Sequence, residues 1–237
     1  MKRAARPLAA ADRTLIAAVR RELRASADAT KAPAMQAYMK SAMPYYGVSS
    51  PQQKDIWRRV FRAHVLQDTT SWKATTLSLW RTAHFREERY AAIALTGERP
   101  YASYQTLDTL PIYEELIVTG AWWDYVDLVA GKRIGALLQR FPRDMKPLLR
   151  AWSRSDDLWK RRTSILAQLG FKQATDLRLL YDCVEPNNAD REFFIRKAIG
   201  WALRQYAWTD PAEVRRYVRA NRDRLSGLSV REALKNI

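Results

Sequence analysis

The sequence predicts an all-α protein, and three observations carry that expectation. Apolar residues recur at three- and four-residue spacing along nearly all of the 237 residues, the period of a helix buried on one side, and no segment alternates as a half-buried strand does. Glycine is scarce, with eight in the chain. Capping and stop signals cut the chain into about a dozen short helices. With 47% hydrophobic and 11% aromatic residues, the chain is long enough to bury a large core.

Taken in order, residues 1–10 are basic and rich in small residues, with no apolar signal core behind them, and read as a flexible basic arm. Ser50-Pro51-Gln52-Gln53 is expected to cap a helix with proline at its first position, as is Asp210-Pro211, while Ser229-Val230-Arg231-Glu232 has the spacing of a capping box. Gly120 and Gly170 stand where helices should close. The turns between helices are short and polar, and no linker rich in Gly or Ser separates domains, so residues 1–237 are expected to form one domain. A globular bundle and a solenoid of helix pairs both fit this pattern. Tryptophans and the prolines Pro51, Pro100, Pro111, Pro142 and Pro211 recur at loose intervals, without the strict self-similarity of a consensus repeat. A degenerate HEAT-like array would offer a concave basic groove long enough to hold a duplex.

Lys and Arg number 41 against 25 Asp and Glu, a net charge of +16, which is the profile of a protein that meets a polyanion. Double-stranded nucleic acid is the first candidate. No run approaches the roughly 18 apolar residues of a membrane-spanning helix, so no membrane partner is expected. Cys183 is the one cysteine, which excludes an internal disulfide and fits a reducing, cytoplasmic compartment. His64 and His84 are the only histidines, too few to build a zinc cluster with that thiol. An all-carboxylate magnesium site stays open, although nothing points to one. The chain has no Gly-rich phosphate loop, no Gly-x-Ser-x-Gly elbow and no convincing Ser-His-Asp set.

Three segments could carry chemistry. In Gly120-Ala-Trp-Trp-Asp-Tyr-Val-Asp127, helical spacing puts Trp123 and Asp127 on one face and Trp122 and Val126 on the next. The bland reading makes both tryptophans core, with Asp124 and Asp127 as first-turn acids complementing the helix dipole. In Ser155-Asp-Asp-Leu-Trp-Lys-Arg-Arg162, the run Lys160, Arg161, Arg162 is either a solvated face or a phosphate clamp. In Arg191–Tyr206, Lys197, Trp201 and Arg204 form one stripe, while Phe194, Ala198 and Ile195 or Ile199 supply an apolar one. Gly200 costs about 1 kcal/mol relative to Ala in mid-helix, which a close approach by another helix would justify.

A single carboxylate with aromatic neighbours on a basic scaffold suits one reaction. A purine alkylated on N3 or N7 is already a cation, so its glycosidic bond is weakened and the base departs without a general acid. One ionised Asp could then stabilise the oxocarbenium-like sugar and orient water. Indole faces would favour the cationic lesion by about 0.5 to 2 kcal/mol. That chemistry requires the Asp127 carboxyl to face the cationic trough rather than an internal ion pair.

The runs Glu114–Asp127 and Phe194–Tyr206 closely resemble the AlkD-like DNA alkylation repair family, with further matches at Gln36–Lys40, Leu158–Arg162 and Ser229–Lys235. That resemblance implies a HEAT-like repeat DNA glycosylase that releases N3-alkyladenine and N7-alkylguanine from double-stranded DNA in base excision repair. It implies no metal or organic cofactor, and in the best-known members no flipping of the base. It places Asp127 at the catalytic aspartate, Trp123, Trp201 and Tyr38 beside the lesion, and Arg162 near the DNA backbone. Arg161, Lys197 and Arg204 are the further expected backbone contacts, and the protein is expected to act as a monomer associated with the nucleoid. Ala37 and Thr163-Ser164 depart from the family pattern. The alternative is a HEAT-like nucleic-acid binding protein without chemistry.

Overall fold

The helical period of the sequence is realised throughout a computed structural model that describes residues 10–237, in which fourteen α-helices and no strand occur among the described residues. All but the last residue of the expected basic arm lies outside the described residues. The contacts gather into two compact units, one up to Gln105 and one over Thr106–Ile237.

The first unit holds α1 (Arg13–Ala25), α2 (Ala32–Met39), α3 (Ser50–Ala63), α4 (Thr69–Arg81) and α5 (Arg86–Leu95). Asp12 caps α1 by accepting from the Leu15 amide, and α1 then buries Leu15, Ile16, Val19 and Leu23 at helical spacing. Packing of α1 and α4 on α5 closes a core that includes the fully buried Trp72, Leu79 and Trp80. The chain between α2 and α3 is pinned by Glu87 of α5, whose buried carboxylate accepts from the amides of Tyr46, Gly47 and Val48 at 3.0 to 3.2 Å. Gly47 sits at φ +85, and a Cβ there would meet the Asp28 carbonyl at 2.1 Å, so no other residue fits that turn.

The second unit begins with α6 (Leu110–Gly120) and α7 (Trp123–Leu128), and α7 runs on through a π turn (Val129–Ile134) into α8 (Gly135–Arg140). Then come α9 (Pro142–Trp152), α10 (Leu158–Leu166), α11 (Leu177–Val184), α12 (Phe193–Ala207), α13 (Pro211–Ala220) and α14 (Gly227–Ala233). Consecutive helices pack in pairs, α6 with α7, α8 with α9, α10 with α11 and α12 with α13, as an all-α repeat requires. A second order runs across the pairs: α10 lies between α7 and α12, and α12 packs on α14. Two glycines permit that row. At Gly135 a Cβ would stand 2.7 Å from the Ala167 carbonyl just past α10, and at Gly200 it would stand 2.4 Å from Glu232 Cβ and 2.9 Å from the Ser229 carbonyl on α14. The close approach expected at Gly200 is therefore real.

Several caps shift from their expected places. Ser49, not Ser50, caps α3, with Gln52 Oε1 accepting from its amide and hydroxyl. Asp210 caps α13 as expected, accepting from the Glu213 amide. The left-handed residue that closes α6 is Ala121 at φ 43, one position past Gly120, whereas Gly170 does adopt φ +84. The capping box at Ser229 fails: Ser226 caps α14 by accepting from the Ser229 amide, and Glu232 is drawn away to α12.

Candidate functional site

Every expected site residue but one lies on the row α7, α10, α12, with α14 beside it. The start of α7 explains how the two tryptophans divide. Trp122 is extended at φ -154 and precedes the helix, so its ring leaves the helical face and joins Trp159 of α10 and Phe194 of α12, with centroids 6.2 and 5.3 Å away. Trp123 is the first helical residue and stays partly exposed. Asp127 follows one turn later.

The Asp127 carboxylate meets the fork of Arg162 in a bidentate pair, Nε to Oδ1 at 2.7 Å and Nη2 to Oδ2 at 2.8 Å. The third edge of that guanidinium, Nη1, donates to the Phe194 carbonyl at 2.5 Å. Arg162 is 4% exposed, and its three hydrogen bonds go to α7 and α12. The expected phosphate clamp at Arg162 is corrected accordingly: α10 is packed on both sides at this position, so the side chain serves the interior. This corrects the expectation that Asp127 would face the trough rather than an internal ion pair: it is in such a pair with Arg162, because α10 packs against α7, although its side chain keeps 15% exposure beside the exposed Leu128. Burial pushes the Asp127 carboxyl above the usual aspartate range, while the Arg162 hydrogen bonds and charge pull the other way.

The remaining cations are also engaged. Arg161 turns back on its own helix start, donating to the carbonyls of Ser155 and Asp156 and pairing with Asp190 at 3.3 Å, so this expected backbone contact is engaged within the protein. Asp157 caps α10 and sets this geometry. Lys160 pairs with Glu114 of α6 at 2.5 Å. On α12, Lys197 and Arg204 share Glu232 of α14, Lys197 Nζ at 2.6 Å, and hold that carboxyl below its usual range. Lys197 stays 41% exposed with donors to spare. Trp201, between them in sequence, is half-buried against the core of α10, α12 and α14. Tyr38 belongs to the first unit, on α2, where it is 75% exposed. Among the described residues, no group of three His, Cys, Asp or Glu could hold a metal ion.

Compared with known families, the sequence matches the one described as DNA alkylation repair enzyme over residues 19–237. The chain belongs to that DNA alkylation repair family. A solved structure described as a predicted DNA alkylation repair enzyme from Enterococcus faecalis matches with a TM-score of 0.80 at 26% identity, covering 90% of this chain and 97% of that one. The structure of smu.31 from Streptococcus mutans matches with a TM-score of 0.58 at 16% identity, over 79% of this chain and 96% of that one, a likeness of fold alone. A comparison with curated proteins returned no match.

Reading the sequence of this alkylation repair family member missed Glu232 and the cluster of Trp122, Trp159 and Phe194. A glutamate three residues after a serine reads locally as a cap, and only the neighbouring helix shows it holding two cations. The aromatic cluster joins three helices, so no local spacing could reveal it.

Proposed function

We propose that the protein is a DNA glycosylase that excises positively charged alkylated purines, N3-alkyladenine and N7-alkylguanine, from double-stranded DNA in base excision repair. The observation that carries this reading is the Asp127 carboxylate, locked by Arg162 and left partly exposed on a row of helices that also presents Trp123 and Trp201. Arg162 takes one acceptor position on each carboxylate oxygen, and the remaining lone pairs stay available to a cation. A carboxylate that cannot rotate needs no reorganisation when charge develops on the sugar, which is the most effective form of electrostatic stabilisation.

In this reading Asp127 stabilises the oxocarbenium-like sugar and orients the attacking water. Trp123 and Trp201 offer aromatic faces to the cationic base, and Lys197 and Arg204 meet backbone phosphates from their station on Glu232. Arg162 acts through Asp127 as a positioning residue and touches no DNA. No proton donor is required, because the alkylated base leaves neutral.

Asp127→Asn tests the proposal. Binding of duplex DNA is expected to stay nearly intact while release of 7-methylguanine from methylated DNA is abolished, and undiminished release would remove Asp127 from the reaction.

A further inference from the structure

The first unit carries a strongly cationic surface that the chemistry at Asp127 leaves unused. Steps of four, three and four residues place Arg13, Ala17, Arg20 and Arg24 on one face of α1. There, with Arg21, they line an open cleft of about 530 Å³ that α4 closes on its far side. Ala17 is the gap in the row, where a long side chain would fill the cleft. Arg20 is fixed in place: its Nε donates to Glu88, whose side chain is 1% exposed, at 3.0 Å, and its Nη2 donates to the carbonyl and hydroxyl of Thr82 at 2.5 and 2.8 Å. Its Nη1 meets no acceptor among the described residues. Arg13 and Arg24 are exposed, and their side chains have no ion-pair partner among the described residues. Arg21 has only an exposed contact with Glu22 at 3.3 Å.

Such an arrangement is unfavourable by itself. Arg20 and Arg24 are like charges one turn apart, a spacing that costs a helix a few tenths of a kcal/mol until an anion relieves it. An ordered guanidinium with its Nη1 edge still open, flanked by two exposed guanidinium groups, suits phosphate oxygens in charge and donor type.

We propose that this arginine cleft is a second phosphate-binding site, one that takes the phosphodiester backbone of duplex nucleic acid. It rests on the duplex as ligand in the reading above, and is independent of the chemistry at Asp127.

The test is the salt dependence of binding to a labelled, undamaged duplex, compared between the wild-type protein and the double variant Arg13→Ala/Arg24→Ala. Each phosphate left without its arginine should remove about 0.9 from the slope of log affinity against log salt, so the pair should remove about 1.8, with affinity down roughly ten- to hundredfold near 0.1 M salt. Lys54→Ala/Arg62→Ala removes the same charge from exposed positions of α3 outside the cleft and should alter the slope by less than half as much. An unchanged slope in the cleft variant, or equal reductions in both doubles, would overturn the proposal. So would stabilisation of the wild type by inorganic pyrophosphate that disappears in the cleft variant while duplex affinity is untouched. A wild-type protein that binds duplex but releases no base would defeat the glycosylase reading and leave the cleft standing.

Discussion

At Asp127 two influences act in opposite senses. Burial raises its pKa and Arg162 opposes the rise, with a net direction upward from 3.8. The reaction needs the carboxylate, so activity is present above that raised value and lost as pH falls through it. The acid limb of kcat/KM for 7-methylguanine release should therefore lie above the ordinary aspartate range, and a limb at or below 3.8 would show that the carboxyl is not desolvated in this way. Arg162→Ala should do more than slow excision. It strands a buried carboxylate, at a cost of about 3 to 5 kcal/mol in urea unfolding, where a surface phosphate contact would cost almost nothing. Trp201→Ala is expected to slow excision with a modest change in general DNA affinity, as binding and single-turnover measurements would separate.

At the scale of elements, the contact between α12 and α14 does the positioning. Gly200→Ala would push a methyl group into Glu232 and the Ser229 carbonyl, and because one of those atoms is backbone the helices must move apart. A loss of about 1 to 3 kcal/mol is expected, read as a drop of several degrees in Tm. Glu232, held low by Lys197 and then by Arg204, contributes stability above its ordinary value of 4.5 and loses it as pH falls through the depressed value. Glu232→Gln should thus lower the urea midpoint near neutral pH, with the gap to the wild type closing in acid. A gap that stays constant with pH would assign Glu232 a packing role only. The π turn that follows α7 has a similar part, since it lets one continuous run of helix carry Asp127 at one end and the close approach at Gly135 further on.

For the whole molecule, the charge of +16 makes ionic strength the deciding variable. Duplex affinity should fall linearly in log salt with a slope set by the phosphates neutralised, whereas a helical scaffold for protein partners would show a much weaker dependence. Helical class, scarce glycine and basic charge were legible from the sequence because each is a sum over local terms or a short-range period. So was the pairing of Trp123 with Asp127 on one face, which one helical turn determines. Arg162 was not: three basic residues in a row must differ in direction, and which one is buried depends on the helices at either side of α10. The same holds for Lys197 and Arg204, whose shared glutamate lies 35 and 28 residues away in sequence. The sequence by itself thus determined what kind of elements form and which chemical groups are at hand. Tertiary structure alone decided which carboxylate each cation meets, because contacts between residues so far apart are set by how helices pack.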